Sequence, residues 1–253
     1  MEFDYCLATQ KGNVFESNVS IEHGAIIGKN NFFSRNCTIK SCCTIGDNNY
    51  FSTNVTIGSL PRERFQKPNT PKEITQTPKV VVGDCNVIED NVVIQSSLEQ
   101  VTRIGNDVCV GAFAHVSHDV TINDHVIIAS HCSIGGYSIL MEYANLGMGS
   151  NIHQRTVVGG LAMVGAGSVI IKHILPYSTV VGVPARYLRI NYVGLKRAGY
   201  SDSEIELIDK WLTKGSSTIL SDKLGDLIRT FKYAMGIWRR DRGIIPNIDI
   251  SKY

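Results

Sequence analysis

Two histidines and an aspartate lie close together near the middle of the chain. His115 and His118 are three residues apart in the segment AHVSHDV (114–120), and Asp119 follows the second histidine directly. Such a cluster suits a metal ion, which imidazole nitrogens and carboxylates bind. It equally suits a general base, because the imidazole pKa lies near 6.5 and a carboxylate can orient the ring. A metal site and a general base need different arrangements of these side chains. The secondary structure that carries them therefore determines which chemistry is possible.

Apolar residues recur at every sixth position through most of the chain. One run extends from Phe15 to Ile57 and another from Ile104 to Ile170, and glycine often follows the apolar residue. A helix would place apolar residues every three or four positions, and a half-buried strand every two. A period of six with glycine predicts a mainly β protein, a left-handed parallel β-helix of hexapeptide repeats. Three hexapeptides, about 18 residues, then make one triangular coil.

The length of a coil predicts which side chains stack on one edge. Counted from the start of the second run, His118, Gly136 and Gln154 share one phase of the coil, and Tyr137 and His153 lie one residue away. At about 4.8 Å per coil, they line a cleft, whereas the ligands of one zinc ion must all lie within about 2.1 Å of it. The sequence therefore favours a general base at His118 and an oxyanion donor in the backbone of Gly136, and predicts no metal site.

Composition gives no support to several classes of function. The 253 residues carry a formal net charge of +2 at pH 7, so the charge does not argue for binding to nucleic acid or to a membrane surface. No apolar run reaches the ~20 residues of a transmembrane helix, and the segment MEFDYCLATQ is not expected to be a signal peptide. Seven cysteines without a CxxC motif indicate free thiols and a cytoplasmic location.

Two interruptions and a change of period divide the chain. We expect the β-helix to occupy residues 1–185, with loop insertions at 59–79 and 95–103, and a helical region to occupy residues 186–253. The first insertion is rich in proline, lysine and arginine. It would suit a phosphate-bearing ligand, although a solvated loop explains the composition equally well. Ser201, with a glutamate three residues later, forms a capping box that predicts the start of a helix.

The hexapeptide repeat, the C-terminal helices and five short segments together resemble the UDP-N-acetylglucosamine O-acyltransferases of lipid A synthesis. The segments are AHVSHD (114–119), GGY (135–137), NIHQ (151–154), LPYSTVVGVPAR (175–186) and NYVGLKRAGYS (191–201). The similarity covers nearly the whole chain. It implies a homotrimer with active sites in clefts between adjacent prisms. It also implies transfer of an acyl group from an acyl carrier protein thioester to a sugar 3-hydroxyl, with no bound cofactor.

The same resemblance implies roles for individual residues. His118 would be the general base, Asp119 its partner, and Gly136 the amide donor to the oxyanion. Residues implied to line the substrate and acyl cleft are His115, Tyr137, His153 and Gln154. Residues implied to lie near the phosphates of the nucleotide or the donor are Asn191 and Arg197, with Arg197 reaching across the subunit boundary.

Several positions depart from the family's pattern. Tyr137 stands where the family usually has a second cleft histidine, Val193 replaces an expected acidic residue, and Ala198 an expected second arginine. The insertion 59–79 stands in place of the family's sugar-gripping segment. GVPAR (182–186) is instead similar to the ending of coenzyme A-dependent hexapeptide acetyltransferases. The first prediction is an O-acyltransferase acting on a nucleotide-activated sugar, by default UDP-N-acetylglucosamine.

Two alternatives remain open from the sequence. A coenzyme A-dependent N-acyltransferase of an amino sugar nucleotide would explain Tyr137, the GVPAR segment and the missing sugar-gripping segment. A non-catalytic trimeric scaffold, or a prism that binds zinc through histidines at a subunit interface, would explain the repeat alone. Turnover on hydroxyl and amino acceptors separates the two transferases, and metal analysis of the purified protein tests the zinc prism.

Overall fold

Short strands account for most of the described chain. The computed structural model describes residues 9, 11–61, 79–214, 222–236 and 243–246. Within these residues, the strands form three sheets of ten, eight and nine strands. Each strand of the repeat pairs with the strand that follows three places later in the sequence. Every coil therefore contributes one strand to each sheet, and the three sheets are the faces of a prism.

All pairs of neighbouring strands on the three faces are parallel except the last pair on face A. Face A comprises β1 (Val14–Phe15), β4 (Phe32–Phe33), β7 (Tyr50–Phe51), β10 (Val87–Ile88), β13 (Cys109–Val110), β16 (Ile127–Ile128), β19 (Asn145–Leu146), β22 (Met163–Val164), β25 (Ser178–Gly182) and β26 (Ala185–Ile190). Face B comprises β2 (Ser20–Ile21), β5 (Thr38–Ile39), β8 (Thr56–Ser59), β11 (Val93–Gln95), β14 (His115–Val116), β17 (Ser133–Ile134), β20 (Asn151–Ile152) and β23 (Val169–Ile170). Face C comprises β3 (Ile26–Ile27), β6 (Cys43–Ile45), β9 (Val80–Val82), β12 (Thr102–Ile104), β15 (Thr121–Ile122), β18 (Ile139–Leu140), β21 (Val157–Val158), β24 (His173–Ile174) and β27 (Ile244–Ile245).

The sixth-position apolar residues fill the interior of the prism. Ile122, Ile128 and Ile134, one from each face of a single coil, are fully buried. The small residues Ala114 and Cys132 are buried at the corners, as the repeat predicts. Burial of this apolar column stabilises the stacked coils by about 25 cal/mol per Å² removed from water.

One residue at most corners of the prism adopts a positive φ. At six corners this residue is asparagine, whose short polar side chain tolerates the left-handed region better than most. The corners thus set both the direction of the chain and the direction in which their side chains project.

Both insertions leave the prism at the edge between faces B and C, which we call the B–C edge. The first follows β8 on face B and ends before β9 on face C. Residues 62–78 of it lie outside the described residues. The second, predicted at 95–103, joins β11 on face B to β12 on face C. The described ends of both insertions therefore lie on the same edge of the prism.

Three helices follow the prism within the described residues. They are α1 (Tyr192–Arg197), α2 (Asp202–Lys214) and α3 (Asp222–Gly236). The helices pack through a second apolar cluster, including Trp211, on Ile139 and Val157 of face C. The predicted capping box forms, because the Ser201 amide donates to Glu204 Oε2 at 2.7 Å. No helix in these ranges is long and apolar enough to cross a membrane.

The region predicted to be helical, 186–253, also contains strand structure. β26 begins at the predicted boundary and pairs antiparallel with β25. β27 returns to the prism and pairs with β24 on face C. The C-terminal region is therefore attached to the β-helix through backbone hydrogen bonds as well as through helix packing.

Candidate active site

His118 and Asp119 form a hydrogen-bonded pair at the B–C edge, in the turn between β14 and β15. His118 Nδ1 lies 2.9 Å from Asp119 Oδ2, and the imidazole is 20% exposed while the carboxylate is fully buried. Adjacent residues of a strand point to opposite faces. Asp119 has a φ of 57°, and this corner conformation turns its carboxylate back toward its neighbour. The pair holds a proton on Nδ1 and leaves Nε2 to accept one from a substrate.

The insertion at 95–103 binds the carboxylate of Asp119. The backbone amides of residues 98–100 donate to it at 2.9, 3.0 and 2.6 Å, and the Asp119 amide donates to Thr102 Oγ1 at 2.8 Å. Burial alone raises the pKa of this carboxyl. The hydrogen bonds from His118 and the three amides outweigh burial, so the pKa of Asp119 lies below its ordinary value. Asp119 is therefore an anion at neutral pH, held in one orientation.

Gly136 lies against the imidazole of His118, one coil further along the prism. A Cβ added to Gly136 would lie 2.7 Å from Cε1 and 2.9 Å from Nε2 of the ring, so any larger residue would displace it. Among the described residues, the Gly136 amide has no hydrogen-bond acceptor. At an equivalent corner, the Ala112 amide donates to the Glu89 carboxylate instead. Gly136, which touches the candidate base His118, therefore has a backbone amide that could donate a hydrogen bond to an oxyanion.

Tyr137 and Arg155 continue the same edge beyond His118. The rings of His118 and Tyr137 meet edge to face, with centroids 5.1 Å apart and planes at 87°. The Arg155 guanidinium carbon lies 4.2 Å from the centroid of the Tyr137 ring, a cation–π arrangement. Burial raises the pKa of Tyr137 to about 12, so its phenol stays protonated. Arg155 was not among the residues predicted from the sequence, although its spacing of 18 residues from Tyr137 places it on this edge.

The other predicted cleft residues also lie on or beside this edge. His115 is half-buried in β14, and burial together with the nearby His118 lowers its pKa. His153 and Gln154 are exposed in the turn after β20, where His153 Nδ1 lies 3.2 Å from the Gln154 carbonyl oxygen. The coil phase thus placed them correctly along the edge. In the described parts of the chain, no hydrogen bond or ring contact joins His153 or Gln154 to His118.

Two histidines at corners between other faces take part in aromatic stacking. His125 stacks on Tyr143 with centroids 4.5 Å apart, and His131 stacks on Phe113 at 5.1 Å. Across the residues that the structure describes, no three His, Cys, Asp or Glu side chains are grouped to bind a metal ion. The six described cysteines are free thiols.

Asn191 and Arg197 lie at a different edge, between faces C and A. Asn191 caps α1: its Oδ1 accepts from the Gly194 amide at 3.1 Å, and its Nδ2 donates to the Leu161 carbonyl at 2.8 Å. Both residues line a cavity of about 1240 Å³ at this C–A edge. Face C separates the cavity from His118, so a single chain does not bring these residues to the candidate base.

Two family models match parts of the chain. Residues 102–136 match the bacterial transferase hexapeptide model, which has six repeats. Residues 174–214 match the second domain of the UDP N-acetylglucosamine O-acyltransferase model. The two matches cover the His118 and Gly136 coils and the start of the C-terminal helices.

Curated relatives belong to the same family as the second of these models. An acyl-[acyl-carrier-protein]–UDP-N-acetylglucosamine O-acyltransferase of Gloeothece citriformis is 37% identical over 134 residues, which are 52% of this chain and 49% of that protein. One from Burkholderia lata is 30% identical over 145 residues, 56% of this chain and 55% of that protein. The predicted resemblance to the UDP-N-acetylglucosamine O-acyltransferases is confirmed. The chain spans about half the length of the curated relatives it matches.

Solved structures match over a larger part of the chain. A UDP-N-acetylglucosamine acyltransferase from Bacteroides fragilis, 25% identical, matches with a TM-score of 0.66 over 92% of this chain and 98% of its own. One from Campylobacter jejuni, 23% identical, gives a TM-score of 0.70 over 93% and 95%. The predicted fold class, a left-handed parallel β-helix with a small C-terminal helical region, is thereby confirmed.

Proposed function

We propose that the protein is an O-acyltransferase that moves an acyl group from an acyl carrier protein thioester to a hydroxyl of UDP-N-acetylglucosamine. The observation that carries this proposal is the His118–Asp119 pair packed against Gly136. It combines an oriented base with a backbone donor at one point of the prism. The donor and acceptor are those named for the similar proteins, which are acyl-[acyl-carrier-protein]–UDP-N-acetylglucosamine O-acyltransferases. We propose no bound cofactor and place the protein in the cytoplasm, which fits its free thiols.

The geometry supports direct transfer to the sugar. His118 Nε2 accepts the proton of the sugar hydroxyl as that oxygen attacks the thioester carbonyl carbon. The Asp119 carboxylate, bound to Nδ1, stabilises the imidazolium that forms. The Gly136 amide donates to the oxyanion of the tetrahedral intermediate. When the C–S bond breaks, the imidazolium returns its proton to the departing thiolate, which leaves an ester and a free thiol.

We also propose that the working form is a homotrimer. The outward side chains of face A form an apolar stripe that includes Val14, Tyr50, Val87 and Ile127, each 42–50% exposed in the single chain. A row of exposed apolar side chains along one face is typical of a protein interface. In such an assembly, the C–A edge with Asn191 and Arg197 would face the B–C edge of a neighbouring prism.

The product of the reaction tests this proposal. Purified protein is incubated with UDP-N-acetylglucosamine and acyl carrier protein thioesters of several chain lengths, and the products are identified by mass spectrometry. We expect an acylated nucleotide sugar whose acyl group is released by mild base, as an ester is. The N-acyltransferase alternative stays a prediction. Transfer only from coenzyme A to an amino sugar nucleotide, giving a base-stable amide, would establish it and refute O-acylation.

A further inference from the structure

Tyr137 and Arg155 continue the stack of corners that Asp119 begins. The three residues are 18 positions apart, and each has a positive φ, of 57°, 62° and 57° along the chain. The Tyr137 amide donates to the His118 carbonyl at 3.1 Å, and the Arg155 amide to the Gly136 carbonyl at 2.8 Å. The three side chains therefore leave the B–C edge one coil above another.

Tyrosine and arginine are not the residues that this backbone conformation favours. The left-handed region is disfavoured for residues that carry a Cβ, and asparagine and aspartate tolerate it best. The same chain places asparagine at six other corners. Other corners of this chain also carry bulky residues with a positive φ, including Phe113, His131 and Tyr143. Tyr137 and Arg155 differ from these in their contacts, because the two side chains stack on each other and Tyr137 meets the His118 ring.

Arg155 gives the edge a positive charge one ring away from the base. Its guanidinium stacks on the Tyr137 ring, which meets the His118 ring in turn. A guanidinium that stacks through its face keeps its N–H donors in the plane around its rim, where they match the paired oxygens of a phosphate or carboxylate. Stacking also fixes the side chain in advance, so less conformational entropy is lost when an anion binds.

Further cations lie along the same edge. Lys79, where the first insertion returns to the prism, is exposed, and so is Lys172 in the turn between β23 and β24. The acidic groups that act on Tyr137 are Asp119 and Glu99. Asp119 is already bound by His118 and three amides, so Glu99 is the acidic group near Tyr137 that opposes the positive charges of Arg155, Lys79 and Lys172.

We propose that Arg155 is a specificity-determining residue that binds a phosphate group of a substrate held against His118. This inference rests on the proposed function, in which both substrates carry phosphate. The nucleotide sugar has a diphosphate, and the acyl carrier protein has a phosphodiester in its pantetheine arm. Both present the pair of unbridged oxygens that a guanidinium binds.

Binding of inorganic pyrophosphate tests Arg155 without any acceptor or donor. The variants are Arg155→Gln and Arg155→Lys, and the control is Arg35→Gln, which changes an exposed arginine between faces A and B. Binding is followed by NMR through the shift of the His118 imidazole signals. We expect Arg155→Gln to weaken binding about tenfold or more, Arg155→Lys to weaken it less, and Arg35→Gln to leave it unchanged.

Steady-state kinetics identify the source of the phosphate. A rise in KM for UDP-N-acetylglucosamine in Arg155→Gln assigns the contact to the nucleotide, and a rise in KM for the acyl carrier protein assigns it to the donor. Pyrophosphate that binds wild type and Arg155→Gln equally, or that does not bind wild type, overturns the inference. A lower Tm with unchanged binding would show a purely structural stack and overturn it as well. Failure of wild type to transfer acyl groups refutes the proposed function alone, because the pyrophosphate titration still reports on Arg155.

Discussion

The imidazole of His118 is fixed by one contact on each side. Asp119 binds Nδ1 at 2.9 Å, and Gly136 occupies the space that a Cβ would share with Nε2. The carboxylate is itself held by the amides of residues 98–100. The position of the basic nitrogen therefore depends on a chain of short contacts that begins in the neighbouring insertion.

Substitution of Gly136 by alanine should misplace the base. The added Cβ would approach Cε1 of His118 to 2.7 Å, so the ring must move. A displacement of this kind can lower turnover by about 10²-fold, and we expect a loss of that order in kcat for Gly136→Ala. The control is Gly236→Ala at the end of α3, where a Cβ meets nothing within 4 Å. Turnover of Gly136→Ala within twofold of wild type would show that the contact is unimportant.

The stability contributed by Asp119 should depend on pH. Its pKa is lowered in the folded protein, whereas in the unfolded chain it lies near 3.9. The carboxylate therefore stabilises the fold above about pH 4, and this stabilisation is lost as the pH falls toward the folded-state pKa. Asp119→Asn removes the titrating group. Urea unfolding at pH 7 and at lower pH measures the free energy of unfolding of wild type and Asp119→Asn. We expect the difference between the two proteins to shrink as the pH falls. A difference that does not change with pH would contradict this account.

At the scale of elements, the B–C edge carries the ends of both insertions and the candidate base with its contacts, whereas Asn191 and Arg197 lie at the C–A edge. The repeat predicted this partly, because a period of 18 fixes which corners stack and so placed His118, Gly136 and Tyr137 together. The repeat did not predict the hydrogen bonds from the amides of residues 98–100 to Asp119. Every residue except proline has a backbone amide, so such bonds have no signature in the sequence. From the sequence, residues 95–103 were therefore predicted only to interrupt the hexapeptide repeat.

Removal of the Thr102 hydroxyl should loosen this edge. Thr102 Oγ1 accepts the hydrogen bond of the Asp119 amide, and both residues are buried. A buried donor left without an acceptor costs about 1–3 kcal/mol, so Thr102→Val should lower the free energy of unfolding by that amount. Thr44→Val, at an exposed position in β6, is the matched control. Urea denaturation of both variants makes the comparison, and equal effects would argue against a positioning role for Thr102.

At the scale of the molecule, the prism has one apolar outer face and one face covered by helices. Face A exposes Val87 and its neighbours, while α2 and α3 pack on the last coils of face C. The apolar period predicted the prism because each hexapeptide repeats the same contact. The return of β27 to face C was not predicted, because a single strand that pairs with one 71 residues earlier has no periodic pattern.

A charge on face A should separate the subunits. Burying an unpaired carboxylate at an apolar interface is costly, so Val87→Asp should shift the trimer toward the 27.8 kDa monomer. Thr44→Asp, at an exposed position on face C, should leave the assembly unchanged. Size-exclusion chromatography with light scattering measures both masses. A trimer that persists in Val87→Asp, or a wild-type monomer, would refute the proposed interface.

The base at His118 is the central claim, and the turnover of His118→Ala tests it most directly. The assay follows acyl transfer from acyl carrier protein to UDP-N-acetylglucosamine in wild type, His118→Ala and His131→Ala. The last variant is a matched control, because His131 is a corner histidine with a φ of 62° between faces A and B. We predict that kcat falls by ~10²–10⁴ in His118→Ala, with the Tm and assembly preserved, and stays at the wild-type level in His131→Ala. Turnover of His118→Ala close to that of wild type would contradict the account.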